Sequence, residues 1–250
     1  PRRDEIADQA MAHKLRDLLA PVKSLLGGTV AFMAGNSLLG VILPLRMEAE
    51  AYPVALTGAI MAAYYLGLAL GGVKCKHVIL RIGHIRAFST FAALTAAICL
   101  AYAFFFNPAA WVILRLVNGF CIAGMTTSIE SWLNDRSSNE TRGRVLGYYM
   151  LTFYLAIALG QTLVNTAPVA GSDLLMMSAA LIGLSLVPIA LTTLGEPNLG
   201  ELRVLNVKEL FEASRVGVVG AGVAGILVGS FYALGIVFAR QIGLSVTEAA

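Results

Sequence analysis

The sequence predicts an all-α membrane protein, a polytopic bundle of transmembrane helices, on three observations. Of its 250 residues, 58% are hydrophobic and only 13% are charged, with a mean hydropathy of +0.77, whereas soluble domains carry roughly 25% charged residues. Charge is absent from a series of stretches about 20 residues long, the length that crosses a hydrocarbon core. Lysine and arginine gather on every second connection between these stretches, which is the positive-inside pattern.

The chain divides into four segments. Residues 1–24 mix charged with apolar residues, which predicts an amphipathic lead-in on the cytoplasmic side of the membrane. Residues 25–194 hold six apolar spans and are expected to form a six-helix transmembrane bundle. Residues 195–215 are expected to form a cytoplasmic loop, and residues 216–250 the first span of a second bundle, cut off at the start of an eighth span.

Each span is expected to be a helix, because a lone strand leaves its backbone unsatisfied in lipid. Asn107 and Pro108 mark a hairpin inside one long uncharged stretch, which therefore contains the third span and the start of the fourth. The seven predicted spans cover residues 25–45, 51–73, 87 to the Asn107 hairpin, that hairpin to about 129, 145–166, 174–194 and 216–239.

The positions of the basic residues predict the orientation. Most of the 18 lysines and arginines lie in the lead-in and in the second, fourth and sixth connections. The N-terminus is therefore expected in the cytoplasm and the odd connections outside, in a multi-pass membrane protein. This orientation argues against a seven-helix receptor, whose N-terminus lies outside.

An internal repeat indicates a larger architecture. Gly40 and Thr57, around the end of the first span, are matched by Gly235 and Thr247 around the end of the seventh. Two matching starts predict two similar halves, with about twelve spans in the full protein, as in transporters built from parallel repeats.

Three short motifs follow one another along the first half. Arg81 and Gly83 lie in the sequence RIGHIRAF after the second span, Arg115 and Gly119 have RxxxG spacing in the fourth, and TRGRVLG begins the fifth. In order, spacing and membrane side these motifs resemble those of the major facilitator superfamily, over nearly the whole chain.

Two positions depart from the family's first motif. Leu80 stands where the family usually has aspartate, and Lys76 where it has the first glycine. The resemblance implies a secondary transporter of the bacterial inner membrane that works by alternating access on a small organic solute, in a proton-coupled efflux or uptake reaction. A membrane sensor or scaffold that kept the fold is the alternative function.

Arg115 is the one arginine inside an apolar span. An arginine facing lipid costs several kcal/mol, so its side chain is expected to face protein or a water-filled cavity. It lies roughly 10 Å below the outer turn of its helix. Two functions stay open, binding an anionic part of the solute or tuning a carboxylate that carries a proton, and a structural role in bonding backbone carbonyls is the alternative.

Other polar side chains at mid-membrane depth are expected to point inward, either to bind solute or to form interhelical hydrogen bonds. Asn36 is the strongest candidate because it lies in the middle of the first span. With Arg115, the predicted solute-binding or coupling residues are Asn36, Tyr64, Asn118, Gln161 and Tyr232. The glycine pairs Gly67 and Gly71, and Gly225 and Gly229, have GxxxG spacing and predict close helix crossings.

Glu130 lies at the cytoplasmic end of the fourth span, about 22 Å of helix from Arg115, too far for direct pairing. The resemblance implies a cytoplasmic gate in which ion pairs form in one state and break in the other. A solvated cluster of charges is the alternative. The predicted gate residues are Glu130, Arg81, Gly83, Arg86, Arg142 and Arg144.

The sequence lacks the motifs of several other functions. The sequence contains no GxxxxGKS/T phosphate loop and no HExxH, so neither an ATP-driven pump nor a metalloprotease is expected. The three cysteines have no paired spacing, and the basic clusters are explained by topology. We therefore expect no enzyme activity, cofactor, metal or nucleic acid, and as partners only a small solute, protons and the lipid bilayer.

Overall fold

The computed structural model describes residues 22–105, 107–192 and 207–249. Most of the predicted lead-in, most of the predicted loop between the halves and the last residues of the sixth span lie outside this part. Within the described residues there is no β-strand, and seven helical spans are long and apolar enough to cross a membrane. The predicted all-α polytopic fold is confirmed.

The helices keep the predicted order. A 3₁₀ turn, Leu163–Thr166, extends the fifth span, and the sixth span consists of two helices in succession. The bounds are α1 Lys23–Ala49, α2 Val54–Ile82, α3 His84–Phe104, α4 Pro108–Asp135, α5 Arg142–Thr162, α6 Asp173–Leu184, α7 Leu186–Ala190, α8 Val207–Ala213, α9 Arg215–Gln241 and α10 Val246–Ala249.

Two turns follow from local sequence. At the predicted hairpin, the Asn107 side chain accepts a hydrogen bond of 2.8 Å from the backbone N–H of Ala109, and Pro108 occupies the first turn of α4, where a missing N–H costs nothing. Between α2 and α3 only Gly83 intervenes, with φ +86° and ψ 161°, a conformation open essentially to glycine alone. This glycine belongs to the motif in which Arg81 lies.

Several helix boundaries differ from the sequence prediction, and two of the differences have a local cause. α2 continues past Val73 to Ile82, because lysine and arginine are good helix formers whose long side chains reach the headgroup region. The sixth span breaks at Ser185, since Pro188 lacks an N–H and its ring clashes with the backbone one turn earlier. The Ser185 hydroxyl donates to the carbonyl of Ile182 at 2.6 Å.

Glycine allows α2 and α4 to cross in direct backbone contact. A Cβ added to Gly67 would overlap the carbonyl oxygen of Leu116, and one added to Gly119 would overlap that of Tyr64. A Cβ on Gly71 would lie 2.8 Å from the carbonyl oxygen of Phe120. The close crossing predicted for the first GxxxG pair is confirmed. In the second pair, Gly225 has open space around it, whereas a Cβ on Gly229 would meet the Tyr65 ring at 3.5 Å.

α1 is the central helix of the first six spans and packs against α5 and α6. Its serine Ser37 donates to the carbonyl of Ile157 in α5 at 3.0 Å, and Ser178 in α6 donates to the carbonyl of Gly35 at 2.7 Å. These bonds satisfy hydroxyls at depths where lipid offers no acceptor. The first six spans thus form one closely packed bundle around α1.

α9 packs on this bundle through a shorter contact. Its buried residues are Gly229, Ala233 and Val237, and it ends beside Glu48, whose carboxylate lies 3.7 Å from the Arg240 guanidinium. We call this end of the molecule the Glu48 end. The opposite end, where α4 finishes and α5 begins, we call the Glu130 end.

The α2–α4 crossing predicts a stability effect. Gly67→Ala is expected to lower the free energy of unfolding by about 1–3 kcal/mol, because the new methyl group must push two backbones apart. Gly72→Ala is the matched control, since a Cβ there meets nothing within 4 Å. Thermal unfolding of both variants in detergent checks the prediction, and equal midpoints for the two would contradict it.

Candidate functional site

A cavity of about 620 Å³ lies between α1, α2 and α5 on one side and α9 and α10 on the other, with Arg115 of α4 in its wall. Five of the six residues predicted to contact solute line it. They are Asn36, Tyr64, Arg115, Gln161 and Tyr232. The sixth, Asn118, is fully buried behind Arg115. The structure thus brings residues from five separate helices together, while their roles in binding or coupling stay predictions.

Four of these side chains form a continuous hydrogen-bonded series, which we call the polar chain: Arg115, Asn118, Asn36 and Tyr64. Arg115 Nη1 donates to Asn118 Oδ1 at 3.3 Å, and Asn118 Nδ2 donates to Asn36 Oδ1 at 3.5 Å. Asn36 Nδ2 then donates to the Tyr64 hydroxyl at 3.1 Å. The polar chain therefore connects α4, α1 and α2 through the middle of the bundle.

The guanidinium determines which side chain donates and which accepts at each hydrogen bond of the polar chain. Arginine only donates hydrogen bonds, so Asn118 must present its amide oxygen to Arg115. The Asn118 amide nitrogen then faces Asn36, which must present its own oxygen in turn, and this leaves the Asn36 nitrogen to donate to Tyr64. Each acceptor in the series receives a hydrogen bond from the side chain before it. The Tyr64 hydroxyl hydrogen stands at the end of the series and has no acceptor within it.

Arg115 is 2% exposed and has no ion-pair partner among the described residues. Its Nη2 donates to the sulfur of Met61 at 3.2 Å, and its Cζ lies 5.3 Å from the centroid of the Tyr64 ring. A thioether is a weak acceptor, and a cation–π contact contributes about 0.5–2 kcal/mol. Arg115 Nε has no hydrogen-bond partner in the described part. The buried positive charge is therefore only partly compensated.

The RxxxG spacing explains how Arg115 reaches Tyr64. Residues four apart lie on the same face of a helix, so Gly119 points toward α2 one turn from Arg115. Without a side chain, Gly119 admits the Tyr64 backbone into contact with α4. The glycine brings α2 close, and the arginine one turn away then extends over the Tyr64 ring.

Much of the remaining wall is aromatic. Tyr64 and Tyr65 form an edge-on pair with centroids 5.3 Å apart, and Phe231 and Tyr232 form another at 5.6 Å. Phe153 from α5 also lines the cavity. Sequence reasoning missed Phe153 and Phe231, because one more aromatic residue in an apolar span carries no signal. The available signal was the spacing of Phe153, Ile157 and Gln161, which share one face of α5.

Glu248 is the acidic residue that lines the cavity within the described part of the chain. It is exposed. Hydrogen bonds from the Ser245 hydroxyl, at 2.7 Å, and from the Ser245 backbone N–H, at 2.9 Å, lower the pKa of the Glu248 carboxyl. With the return bond from Glu248 N–H to Ser245, these contacts form a capping box at the start of α10.

The Glu130 end holds the predicted gate residues. Glu130 Oε1 accepts a hydrogen bond of 3.2 Å from the hydroxyl of Tyr149 in α5. Among the described residues, no ion pair joins Glu130 to the predicted arginines, which are exposed: Arg81, Arg86, Arg142 and Arg144. The Glu130 carboxylate is thus held by a neutral phenol in this conformation, and a gating role for these residues and Gly83 stays a prediction.

The Glu48 end has contacts that the sequence did not reveal. Arg46, buried in α1, donates to the backbone carbonyls of Val169 and Ala170 at 2.8 and 3.4 Å, and also to that of Gly171. Thr247 of α10 donates to the Asn165 side chain at 2.9 Å. Backbone acceptors leave no trace in side-chain patterns, so the sequence carries no signal for these contacts of Arg46.

In the part of the chain that the structure describes, no group of three or more His, Cys, Asp or Glu residues could hold a metal ion. The three cysteines are buried and free.

Comparison with known proteins gives consistent matches. A family model described as Major Facilitator Superfamily matches residues 25–250. The uncharacterized MFS-type transporter YcaD of Escherichia fergusonii is 26% identical over 227 residues, which cover 90% of this chain and 59% of that protein. The uncharacterized MFS-type transporter Ent638_1421 of Enterobacter sp. strain 638 is 26% identical with the same coverage, and YcaD of Salmonella arizonae is 25% identical. The chain thus spans 59% of the length of these curated relatives.

The polar chain predicts that Asn118 matters for stability. Asn118→Leu is expected to cost about 1–3 kcal/mol, because it leaves a donor of Arg115 and the oxygen of Asn36 buried without a partner. Asn134→Leu makes the same change at an exposed position of α4 and is expected to shift stability by less than about 0.5 kcal/mol. Thermal unfolding in detergent measures both, and a tolerated Asn118→Leu would show that the polar chain contributes no stability.

Proposed function

The chain belongs to the Major Facilitator Superfamily, and on that basis we propose that it works as a secondary active transporter, moving a small solute across a membrane by alternating access. The seven spans and the membership of the family support a role in the membrane. Because the chain spans only part of the length of its relatives, the transport activity is proposed for the protein to which this chain belongs.

The observation that carries the proposal is the position of the cavity. One wall comes from the first six spans and the other from α9, the first span of the second half, and the buried polar chain faces the space between them. Transporters of this architecture bind solute near the bilayer midplane between two halves that move against each other. We propose that solute binds here, in contact with Arg115, Tyr64 and the surrounding aromatic side chains.

We propose further that the Glu130 end is cytoplasmic and the Glu48 end external, in a bacterial inner membrane. The basic residues of the second and fourth connections lie at the Glu130 end, which supports this orientation. On the opposite side, the connections after α1, α3 and α5 contain few basic residues.

The contacts at the Glu48 end fit an external gate. The Glu48–Arg240 ion pair joins α1 to α9, and the Asn165–Thr247 hydrogen bond joins the fifth span to α10. The Glu48–Arg240 pair is partly exposed, and Asn165 and Thr247 are exposed. Pairs that solvent reaches contribute about 0–1 kcal/mol each. Weak contacts suit a gate, because the states of a working transporter differ by only a few kcal/mol. Opening toward the outside requires that these two contacts break.

The ion that drives transport would have to bind a group of the protein. The resemblance to proton-coupled carriers supports a proton as the coupling ion, yet the polar chain contains no carboxylate that could carry it. A coupling proton therefore needs a carboxyl group outside the polar chain.

Alternating access predicts that one cavity position is reachable from both sides of the membrane. Gly40 lines the cavity, and an added Cβ there meets nothing within 4 Å. Gly40→Cys is expected to react with a membrane-impermeant maleimide in right-side-out vesicles and also in inside-out vesicles. The native cysteines Cys75, Cys99 and Cys121 are buried and should react slowly.

The control for this measurement is Gly143→Cys, exposed at the start of α5, which should react from the cytoplasmic side alone. Reaction of Gly40→Cys from a single side would contradict alternating access and favour a scaffold that kept the fold.

The proposed external gate makes a second prediction with the same reporter. Glu48→Arg replaces an attraction to Arg240 by a repulsion and is expected to speed labelling of Gly40→Cys from outside by up to about fivefold, the effect of about 1 kcal/mol. The exchange of both charges, Glu48→Arg with Arg240→Glu, should restore the original rate. Glu50→Arg, a neighbouring exposed acid, is the matched control; an equal effect there would assign the change to general charge.

A further inference from the structure

The polar chain has hydrogen-bond donors that no acceptor in the described part of the chain engages. Arg115 uses one N–H on Asn118 and one on Met61, while a guanidinium has five N–H donors. Its Nε–H has no partner in the described part of the chain. The Tyr64 hydroxyl accepts from Asn36, and its own hydrogen has no acceptor among the described residues. The side chains that meet the cavity at this point thus offer hydrogen atoms and a positive charge.

The cavity lining offers little to balance that charge. Its one carboxylate within the described residues, Glu248, is exposed and engaged by the N–H and O–H groups of Ser245, whereas Arg115 is 2% exposed. A buried cation in a medium of low dielectric constant is costly unless an anion pairs with it. Such a site favours an occupant that brings the missing negative charge and accepts several hydrogen bonds.

The rest of the wall selects for an apolar body. Tyr65, Phe153, Phe231 and Tyr232 surround the space beyond the polar chain, and aromatic faces favour flat apolar groups. The cavity, about 620 Å³, is within the range of sites that enclose small organic molecules.

We propose that the cavity binds an organic monoanion with an aromatic or apolar body, its carboxylate or sulfonate accepting hydrogen bonds from Arg115 and Tyr64. This inference rests on the proposed transport function, for which it names the class of solute. A cation of the same shape is repelled by Arg115. A neutral amide of the same shape accepts fewer hydrogen bonds and leaves the guanidinium charge unpaired.

Three probes of one shape test the assignment: 2-naphthoate, 2-naphthamide and 2-naphthylmethylammonium. Thermal unfolding of the purified full chain is followed with a thiol-reactive fluorophore, which reads the buried free cysteines as they become exposed. A ligand that binds only the folded state raises the midpoint. We expect 2-naphthoate to raise it, and the amide and the ammonium compound to leave it unchanged at equal concentration.

Two variants locate the site. Arg115→Gln is expected to weaken 2-naphthoate binding by more than about tenfold, because it removes charged hydrogen bonds. Tyr64→Phe keeps the ring and removes one donor, so it should weaken binding roughly two- to tenfold and keeps the test decisive if Arg115→Gln fails to fold. Tyr148→Phe makes the same change in a tyrosine outside the cavity lining and should bind as the parent does.

Stabilisation by the amide or the ammonium compound equal to that by 2-naphthoate overturns the assignment. So does an absence of any shift with 2-naphthoate, or an unchanged affinity in Tyr64→Phe.

Flux into proteoliposomes separates this inference from the transport proposal. Binding of 2-naphthoate that depends on Arg115, without saturable uptake of the labelled compound, supports the anion site and contradicts transport of this anion. Saturable uptake of labelled glucose or tetraphenylphosphonium, without stabilisation by 2-naphthoate, supports transport and overturns the anion site.

Discussion

The burial of one guanidinium inside an apolar bundle is the constraint on which the rest of the site depends. The Arg115 guanidinium only donates hydrogen bonds and cannot accept one, so its neighbours must supply acceptors and electron-rich surfaces. Asn118, Met61 and the ring of Tyr64 do so. The orientation of two asparagines follows from this requirement, and the hydroxyl of Tyr64 is positioned at the end of the same series.

The burial of Arg115 also depends on how α2 and α4 pack. Tyr64 approaches Arg115 only because Gly119 lets α2 and α4 touch, and Gly67 and Gly71 continue the contact along α2. Apolar attraction adds little between helices in lipid, where close packing of small residues takes its place. The α2–α4 crossing is therefore suited to move as one rigid unit, whereas α9 meets the bundle through a short contact and one partly exposed ion pair. This difference in strength is what a transporter with two moving halves requires.

The sequence predicts much of this arrangement and stops at identifiable points. Charge-free stretches located all seven spans, the Asn107–Pro108 pair located a turn, and the cost of an intramembrane arginine pointed to Arg115. The spacing of Arg115 and Asn118 placed them within reach on one helix, but their connection to Asn36 depends on how three helices pack, which local sequence does not encode. For the same reason, the sequence does not predict the bonds from Arg46 to backbone carbonyls. It also does not predict that Tyr149 is the partner of Glu130.

The incomplete compensation of Arg115 also bears on how solute and conformational change would be linked. An alternating carrier passes through states in which the cavity is closed from both sides, and closure removes water from the wall of the cavity. Removing water raises the free-energy cost of an unpaired buried cation.

If the occupant is an anion, this cost disfavours closure of the empty cavity. When the anion is bound, it pairs with the cation, and closure no longer carries the cost. A ligand shifts a conformational equilibrium only by its difference in affinity for the two states, and the Arg115 charge supplies such a difference. On the proposed transport function, the arginine would do more than attract the solute, because it would make the change of access depend on the solute being present.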